Sequence, residues 1–281
     1  MSQVRVDAAA ILPQLLDLSL QAGREILDVY AKGCSVSHKA DSSPVTVADQ
    51  RAEAVILAGL AKIAPDVPVV AEEECAAGRM PSHGALFFLV DPLDGTKEFL
   101  SRNGEFTVNI ALVDAGVPVA GVVYAPVIGV IYAGYGNGDK AVAFKAKVEG
   151  GVIGPESPIA VRPAPAEGLA AIGSRSHGAK ETGDWLERFR VDTFVSAGSS
   201  LKFCLVAEGT ADIYPRLGRT MEWDTAAGDA VLRAAGGLVT TLDGRPLVYG
   251  KREQPSDSPY ANPHFVAYGD RHLIAAAGEA A

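Results

Sequence analysis

Residues 86–96 read LFFLVDPLDGT, and the fold follows from this stretch. Its first five residues are apolar without interruption, as expected of a strand that is buried on both faces. The apolar run ends at Asp91, and a turn with a second acid, Asp94, follows it. The sequence therefore predicts a buried strand that carries two carboxylates at its carboxyl end.

The sequence on either side alternates between helical and extended patterns. Apolar residues recur every three to four positions up to Gly33, and a second helix is predicted after Thr46. Residues 106–144 predict a meander of three or four strands, and residues 169–241 predict strands and helices in turn. This order predicts a layered α/β (α+β) sandwich and excludes a helical bundle or a barrel.

Residues 150–158, GGVIGPESP, have the composition of a linker. We therefore predict an N-terminal lobe, residues 1–155, and a C-terminal lobe, residues 156–281. The first would carry the acidic site and the second would complete it. At 281 residues the chain fits one large integrated domain or two lobes that share a core.

Composition excludes several classes of protein. With 25 basic and 34 acidic residues, the net charge of −9 argues against a protein that binds a nucleic-acid polymer. The three cysteines, Cys34, Cys75 and Cys204, are odd in number and lack C-x-x-C spacing, which excludes a disulfide scaffold and a thiolate zinc site. They fit a reducing compartment, and residues 1–7 show no signal peptide, so we expect a cytoplasmic protein.

A membrane-spanning segment is considered for residues 116–138, which carry no charged side chain. These 23 residues are long enough to cross a bilayer. Pro118, Pro126 and six glycines interrupt them, however, with valine and isoleucine between. We therefore predict short strands and no integral membrane segment, and leave peripheral contact with the inner membrane open.

The turn after the buried strand has the residue types of a metal and phosphate site. Asp91 and Asp94 are hard oxygen ligands of the kind that Mg²⁺ prefers, and Pro92 stiffens the turn between them. Gly95 and Thr96 open a short helical segment, whose free N–H groups attract an anion such as phosphate. The alternative is a plain acidic turn with a helix cap.

Two further acidic segments strengthen the metal hypothesis. Glu72 and Glu73 also follow a predicted strand, and Asp224 lies at the start of a predicted helix. Taken alone, the glutamates could form a solvated loop and Asp224 could be an N-cap. Two carboxylates ~5 Å apart repel by roughly 3 kcal/mol at an effective dielectric constant near 20. Four acids in one cleft would therefore need cations, and two divalent ions would also clamp a phosphoryl group.

Thr46 and Asp49 permit two interpretations. The first is a capping box, with Thr46 as N-cap and Asp49 in the first helical turn. The second is that Asp49 pairs with the Thr96 hydroxyl to orient and deprotonate a water molecule.

Together these residues resemble the inositol monophosphatase superfamily of Mg²⁺-dependent, Li⁺-sensitive phosphatases. The match runs from about residue 20 to residue 268. The runs that carry it are Asp41-Ser42-Ser43-Pro44-Val45-Thr46-Val47-Ala48-Asp49, Glu72-Glu73, residues 91–96 and Trp223-Asp224.

Longer strings resemble one branch of that superfamily, the bacterial 3′(2′),5′-bisphosphate nucleotidases of the CysQ type. They are residues 91–99 (DPLDGTKEF), 103–112 (NGEFTVNIAL), 124–127 (YAPV), 174–177 (SRSH), 198–209 (GSSLKFCLVAEG) and 223–228 (WDTAAG). Ala71 departs from the pattern, since relatives often have serine before the first glutamate.

The resemblance implies the αβαβα sandwich of inositol monophosphatases and sugar phosphatases, with two or three Mg²⁺ ions. Its implied metal ligands are Glu72, Asp91 and the Leu93 carbonyl for the first ion, then Asp91, Asp94 and Asp224 for the second. A third, weaker ion would lie near Glu72.

The resemblance also implies roles in catalysis. Asp49 and Thr96 would align and deprotonate the attacking water, with Glu72 as a further catalytic residue. The backbone of residues 94–96, which includes Gly95, would bind the scissile phosphate. Lys39 is similar to a family lysine near the metals.

The implied reaction is in-line hydrolysis of the 3′-phosphate of 3′-phosphoadenosine 5′-phosphate to AMP and phosphate, a step in sulfur metabolism. The phosphosulfate analogue is a further candidate substrate. A protein of net charge −9 needs a local basic region for such a ligand. The implied contacts are His177, Ser199, Ser200, Lys202 and Arg216, although Lys202 could be solvated and Arg216 could pair only with neighbouring acids.

Three alternatives stay open. Inositol monophosphate and fructose 1,6-bisphosphate would suit the same metal site. Ser199 and Lys202 form an S-x-x-K string typical of serine acyl enzymes, but the companion S-D-N and K-T-G strings are absent from the sequence. The oligomeric state, monomer or homodimer, is also undecided.

Overall fold

The apolar run at residues 86–90 forms the start of a strand in the larger of two sheets. In this computed structural model, residues 6–33, 36–38, 44–174 and 179–279 are described. Phe87 and Leu89 contact one layer of the protein, while Phe88 and Val90 contact the opposite layer, and all four are at most 1% exposed. The prediction of a strand buried on both faces is confirmed.

The larger sheet is mostly antiparallel, and its order is β10-β8-β7-β6-β5-β4-β3, with β9 paired to β8. Its strands are β3 (Val69–Ala71), β4 (Leu86–Asp94), β5 (Thr107–Asp114), β6 (Val117–Ala125), β7 (Val130–Tyr135), β8 (Val142–Glu149), β9 (Val152–Ile153) and β10 (Ser157–Pro158).

The second sheet has the order β12-β11-β13-β15-β14 and mixes parallel with antiparallel pairs. Its strands are β11 (Leu169–Gly173), β12 (Val191–Ser196), β13 (Ile213–Arg216), β14 (Leu238–Thr241) and β15 (Phe265–Tyr268). A separate hairpin joins β1 (Val36–His38) to β2 (Pro44–Thr46).

Helices cover both sheets and fill the space between them. They are α1 (Ala8–Lys32), α2 (Val47–Ile63), α3 (Glu72–Ala76), α4 (Thr96–Leu100), α5 (Ala179–Leu186), α6 (Leu201–Ala207), α7 (Ala226–Ala234) and α8 (Leu273–Glu279).

The layers follow from which faces are apolar. Helices α1 and α2 cover one face of the larger sheet, and α6 and α7 pack between the two sheets. Helices α5 and α8 supply Trp185, Leu186 and Ala277 to the outer face of the second sheet. The result is the five-layered αβαβα sandwich that the family resemblance implies.

Several local outcomes differ from the sequence predictions. The strand continues past Asp91, since β4 extends to Asp94 through an irregularity in its pairing with β5. The alanine-rich segment at residues 273–279 forms α8, an element that the sequence analysis did not assign. The stretch at 150–158 contributes β9 and β10 to the larger sheet, and the second sheet begins at residue 169. The lobe boundary at residues 155 and 156 stays a prediction.

The uncharged stretch at residues 116–138 forms β6 and β7, as predicted. Within the described ranges, no helix combines the length and the apolar character needed to cross a membrane.

Helix α7 approaches the larger sheet closely because glycines lie beneath it. A Cβ atom added at Gly121 would lie 2.5 Å from the Ala227 carbonyl oxygen and 2.7 Å from the Ala230 Cβ. At Gly134, an added Cβ would lie 2.8 Å from the Cα of Val231. These glycines set the depth of α7, and therefore the position of Asp224, two residues before the helix begins.

Gly121→Ala should push α7 away from the sheet. We expect it to cost about 1–3 kcal/mol of unfolding free energy, the usual penalty for overpacking, and to lower activity by moving Asp224. Urea unfolding followed by circular dichroism measures the first effect. The control is Gly183→Ala on the exposed side of α5, where no described atom lies within 4 Å of an added Cβ. Equal stability of the Gly121 variant and the wild type would contradict this account of the packing.

Candidate active site

A cleft of about 280 Å³ opens where the end of β4 meets residues from the second half of the chain. One wall is acidic and the other carries two basic side chains. The sequence-predicted site residues that line this cleft are Glu72, Asp94, Gly95, Thr96, Ser199, Lys202, Arg216 and Asp224.

Parallel pairing of β3 with β4 brings Glu72 to Asp91. In the register of this pair, Ala71 lies opposite Val90, and the residue that follows each of them in the sequence is an acid: Glu72, which begins α3, and Asp91. The two side chains are within hydrogen-bonding reach of each other, and Asp91 is 2% exposed. Burial, followed by the charges of Glu72, Asp94 and Asp224, holds the pKa of Asp91 well above its ordinary value.

Asp94 and Asp224 belong to the same cluster of charges. Asp224 lies in a 3₁₀ turn (Glu222–Asp224) and accepts a hydrogen bond from the Met221 N–H at 2.8 Å. Burial, followed by the charges of Asp94 and Glu72, raises the pKa of Asp224 well above its ordinary value. Thr225, and not Asp224, is the N-cap of α7, so the plain N-cap interpretation of Asp224 is wrong.

The acidic cluster fits divalent cations by its chemistry. Four carboxylates converge, and their partial burial weakens the screening of their repulsion by water. Among the described residues, the side chains alone form no group of three or more His, Cys, Asp or Glu that could hold a metal ion. Mg²⁺ usually keeps several waters and binds through one or two carboxylates plus substrate oxygens, so it does not require a site made by the protein alone.

Asp49 serves two partners through its two carboxylate oxygens. Oδ2 accepts from the Thr46 N–H at 2.8 Å and from the Thr46 hydroxyl at 2.7 Å, which completes the predicted capping box of α2. Oδ1 accepts from the Thr96 hydroxyl at 3.3 Å. Burial raises the pKa of Asp49, and the charge of Glu72 adds to the rise. Both sequence interpretations therefore describe the same side chain, although its role in catalysis stays a prediction.

The turn between β4 and α4 has a backbone that only glycine adopts easily. Gly95 is the N-cap of α4 with a φ of 92°, and it has no side chain to cap the helix. The Leu93 N–H donates to Asp91 Oδ1 at 3.0 Å, which fixes the turn from its other side. Residues 94–96 therefore face the cleft with a fixed backbone conformation.

The opposite wall contains Lys202 and Arg216. Burial lowers the pKa of Lys202 to about 8, although the charge of Asp94 opposes this shift. The Lys202 ammonium donates to the carbonyl oxygens of Ser199 at 2.6 Å and Ala197 at 3.4 Å. Among the described residues, none accepts a hydrogen bond from the buried Nε of Arg216, and one of its terminal nitrogens donates to the Arg219 carbonyl at 3.2 Å.

Ser199 and Ser200 lie in the cleft region, but their hydroxyls point to Asp94. The Lys202 ammonium meets the carbonyl of Ser199, and the Ser199 hydroxyl bonds to a carboxylate, so the pair does not have the arrangement of a serine nucleophile and its base. Lys39 and His177 fall outside the described residues, and so does Cys34.

Three polar residues near the site escaped the sequence analysis. Thr107 and Asn109 alternate along β5, and Asn109 contacts both Asp94 and Ser200. Two polar residues at a spacing of two in an otherwise apolar strand are the signal that could have revealed them. The third, Glu53 on α2, accepts from the Glu73 N–H at 2.8 Å and so holds the start of α3 beside Glu72.

Residues 7–268 match the sequence profile of the inositol monophosphatase family, which covers most of the chain. The chain therefore belongs to the inositol monophosphatase family. Members of this family generally depend on metal ions, typically Mg²⁺.

Two relatives identify the branch of the family to which the chain is similar. The 3′(2′),5′-bisphosphate nucleotidase CysQ of Escherichia coli O157:H7 is 47% identical over 91% of this chain and 98% of its own length. The protein of the same name from Salmonella typhimurium is 48% identical over the same shares.

Solved structures agree with the five-layered fold. The crystal structure of CysQ from Bacteroides thetaiotaomicron superimposes with a TM-score of 0.74 at 37% identity, over 93% of this chain and 97% of that one. The inositol monophosphatase of Thermotoga maritima gives the same TM-score of 0.74 at 23% identity, over 95% and 96% of the two chains, and shows the fold alone.

Glu53 should make the stability of the metal-free protein depend on pH. Burial, then the charges of Glu73, Glu74 and Glu72, raises its pKa from 4.5 to about 7. Because the folded value is the higher one, its contribution to stability is present below pH 4.5 and is lost as the pH rises through 7. Glu53→Gln keeps an acceptor for the Glu73 N–H and removes the loss of stability that ionisation of Glu53 causes.

Urea unfolding at pH 5, 6, 7 and 8 without divalent ions tests this. The unfolding free energy of the wild type should fall more steeply across this range than that of Glu53→Gln. The matched control is Glu156→Gln at an exposed position just before β10, which should keep the wild-type slope. A Glu53 variant with the same slope as the wild type would show that this carboxyl does not titrate with folding.

Proposed function

We propose that the protein is a Mg²⁺-dependent 3′(2′),5′-bisphosphate nucleotidase that converts 3′-phosphoadenosine 5′-phosphate to AMP and phosphate. The single observation that carries the proposal is a cleft with converging carboxylates on one wall and Lys202 with Arg216 on the other. A substrate with two phosphates needs these two environments, one for the phosphate that is cleaved and one for the phosphate that stays. The CysQ nucleotidases at 47% and 48% identity support this reaction.

The carboxylates would hold two Mg²⁺ ions. Glu72, Asp91 and the Leu93 carbonyl would bind the first, and Asp91, Asp94 and Asp224 would bind the second. When bound, the ions supply positive charge that stabilises the phosphoryl group and lowers the pKa of water. A third ion near Glu72 is part of the same proposal.

Thr96 and Asp49 would handle the proton of the attacking water. The Thr96 hydroxyl donates to Asp49 Oδ1, so its own oxygen is left to accept a hydrogen bond from water. Two donors from Thr46 hold Asp49 Oδ2 and keep the carboxylate in place. The raised pKa of Asp49 makes it a better proton acceptor than an exposed aspartate. The backbone of residues 94–96 would bind the scissile phosphate while the water attacks in line.

Lys202 and Arg216 would bind the 5′-phosphate. Lys202 uses its ammonium on two carbonyl oxygens, which leaves a third N–H for an anion. The Nε of Arg216 is a buried donor with no acceptor among the described residues, and a phosphate oxygen would satisfy it. His177 is proposed to contribute from the segment outside the described residues.

Cys75 and Cys204 are free thiols, which supports a reducing, cytoplasmic setting.

Inositol monophosphate and fructose 1,6-bisphosphate would use the same acidic wall, so the basic wall decides between substrates.

The test is phosphate release with Mg²⁺ from 3′-phosphoadenosine 5′-phosphate, inositol 1-phosphate and fructose 1,6-bisphosphate, each with and without Li⁺. We expect kcat/KM for the nucleotide to lead by at least a hundredfold, which is about 2.7 kcal/mol of discrimination. Arg216→Ala should remove about tenfold to a hundredfold of that lead, because a hydrogen bond between charged groups contributes about 1.5–3 kcal/mol. Li⁺ should inhibit the hydrolysis of the nucleotide.

Arg245→Ala is the control, since that arginine is exposed and pairs with Asp243 away from the cleft. It should leave all three activities unchanged. If inositol 1-phosphate leads, or if Arg216→Ala lowers all three activities equally, the nucleotide assignment is wrong while the metal chemistry survives.

A further inference from the structure

The turn between β12 and α6 carries two serines whose hydroxyls contact an acid from the other sheet. Ser199 Oγ donates to Asp94 Oδ2 at 2.6 Å, and Ser200 Oγ lies 3.1 Å from the same oxygen. Asn109 Nδ2 is 3.3 Å from this oxygen as well. All three contacts go to Oδ2, so Oδ1 is the oxygen that they leave for the cleft.

Counting protons shows how these groups share their hydrogen bonds. Each hydroxyl has one proton, and each carboxylate oxygen can accept more than one hydrogen bond. Ser199 uses its proton on Asp94, the shorter of its contacts to that residue. Ser200 accepts from Asn109 at 2.9 Å and donates to the Asp224 carbonyl at 2.7 Å. Ser200 therefore connects the surroundings of Asp94 to the backbone of Asp224.

The turn itself is fixed from several sides. Ser199 has a φ of 56°, a left-handed conformation that side chains other than glycine rarely adopt. The Lys202 ammonium holds the Ser199 carbonyl at 2.6 Å, and the Gly198 N–H donates to Glu105 at 2.8 Å. Ser200 is 1% exposed. A turn that is held in this conformation, with both hydroxyls close to one carboxylate, can fix the orientation of that carboxylate.

We propose that Ser199 and Ser200 are positioning residues that orient Asp94 for Mg²⁺. This inference rests on the proposed function, because Asp94 is a ligand only if the acidic cluster binds Mg²⁺. For these two hydroxyls, we propose this positioning role in place of the substrate contact that the sequence analysis expected. Lys202 then has two tasks, since the same ammonium that faces the nucleotide pocket also fixes the turn.

The physical reason is that Asp94 and Asp224 come from different layers of the protein. Asp94 ends a strand of the larger sheet, and Asp224 precedes a helix packed between the sheets. Repulsion between the two carboxylates favours their separation when no cation is bound. The hydrogen bond from Ser199 to Asp94 opposes this movement, and so does Ser200, which accepts from Asn109 beside Asp94 and donates to the Asp224 carbonyl. Loss of either hydroxyl should therefore weaken Mg²⁺ binding before it changes contact with the nucleotide.

The experiment compares Ser199→Gly and Ser200→Ala with the wild type. Ser199→Gly is informative because glycine adopts the left-handed backbone without strain, so the hydroxymethyl group is lost while the turn can keep its conformation. Affinity is measured by isothermal titration calorimetry with Mg²⁺ alone, in the absence of substrate. Kinetics with 3′-phosphoadenosine 5′-phosphate are then measured at limiting and at saturating Mg²⁺. Ser19→Ala is the control, because Ser19 is a fully buried serine in α1 whose hydroxyl donates to the Leu15 carbonyl of the same helix.

We expect both variants to bind Mg²⁺ about tenfold more weakly, which corresponds to 1.4 kcal/mol. Their kcat should recover in part at saturating Mg²⁺, and their KM for the nucleotide should stay within about twofold of the wild type. Ser19→Ala should lower the melting temperature and leave Mg²⁺ affinity unchanged.

Three results would overturn the inference. Unchanged Mg²⁺ affinity in both serine variants, when Asp94→Asn binds Mg²⁺ weakly, refutes the positioning role alone. A KM that rises tenfold at saturating Mg²⁺, with normal calorimetric affinity, assigns the hydroxyls to the substrate instead. If Asp94→Asn itself binds Mg²⁺ as tightly as the wild type, the proposed metal site is wrong, and the positioning role falls with it.

Discussion

Repulsion among four carboxylates that converge on one cleft, where Asp91 is buried and the other three are half-buried, is the constraint on which the rest of the site depends. Asp91 and Asp224 both have pKa values well above the ordinary range, first because of burial and then because of their acidic neighbours. A protein gains nothing in stability from such a cluster, so its persistence in the folded chain requires a function that uses the charge. Bound cations reverse the sign of the interaction and give the cleft its affinity for phosphate.

The fold supplies the rigidity that holds these charges together. Parallel pairing of β3 and β4 places Glu72 beside Asp91, and the glycines under α7 let Asp224 approach from the second half of the chain. Glu53 holds the start of α3 beside Glu72, while Ser200 links Asn109, which contacts Asp94, to the carbonyl of Asp224. Strand pairing, helix packing and hydrogen bonds therefore hold the acids in place. These contacts come from several layers of the fold, and together they offset the repulsion between the carboxylates.

The sequence predicted features that depend on local pattern and missed those that depend on distant contacts. The apolar run at residues 86–90 and the capping box at Thr46 follow from neighbours in the chain, and both are confirmed. The direction of the Ser199 hydroxyl does not, because it depends on an acid about a hundred residues away and on a left-handed backbone. Glu53 was missed for the same reason, since its partner lies on the next helix. The lobe boundary and the roles of the site residues stay predictions, since each concerns behaviour that geometry alone does not measure.

The most direct measurement of the central claim is the melting temperature of the wild type and of Asp91→Asn at pH 8, with and without Mg²⁺ and without substrate. Without the ion, the variant should melt higher than the wild type, because one charge has left the cluster. Saturating Mg²⁺, at about 100 times its dissociation constant, should add about 2.7 kcal/mol to the wild type, or roughly 5 °C or more, and little to the variant. A variant that melts lower without Mg²⁺ and gains as much from the ion as the wild type would contradict the claim that these carboxylates are held together for cations.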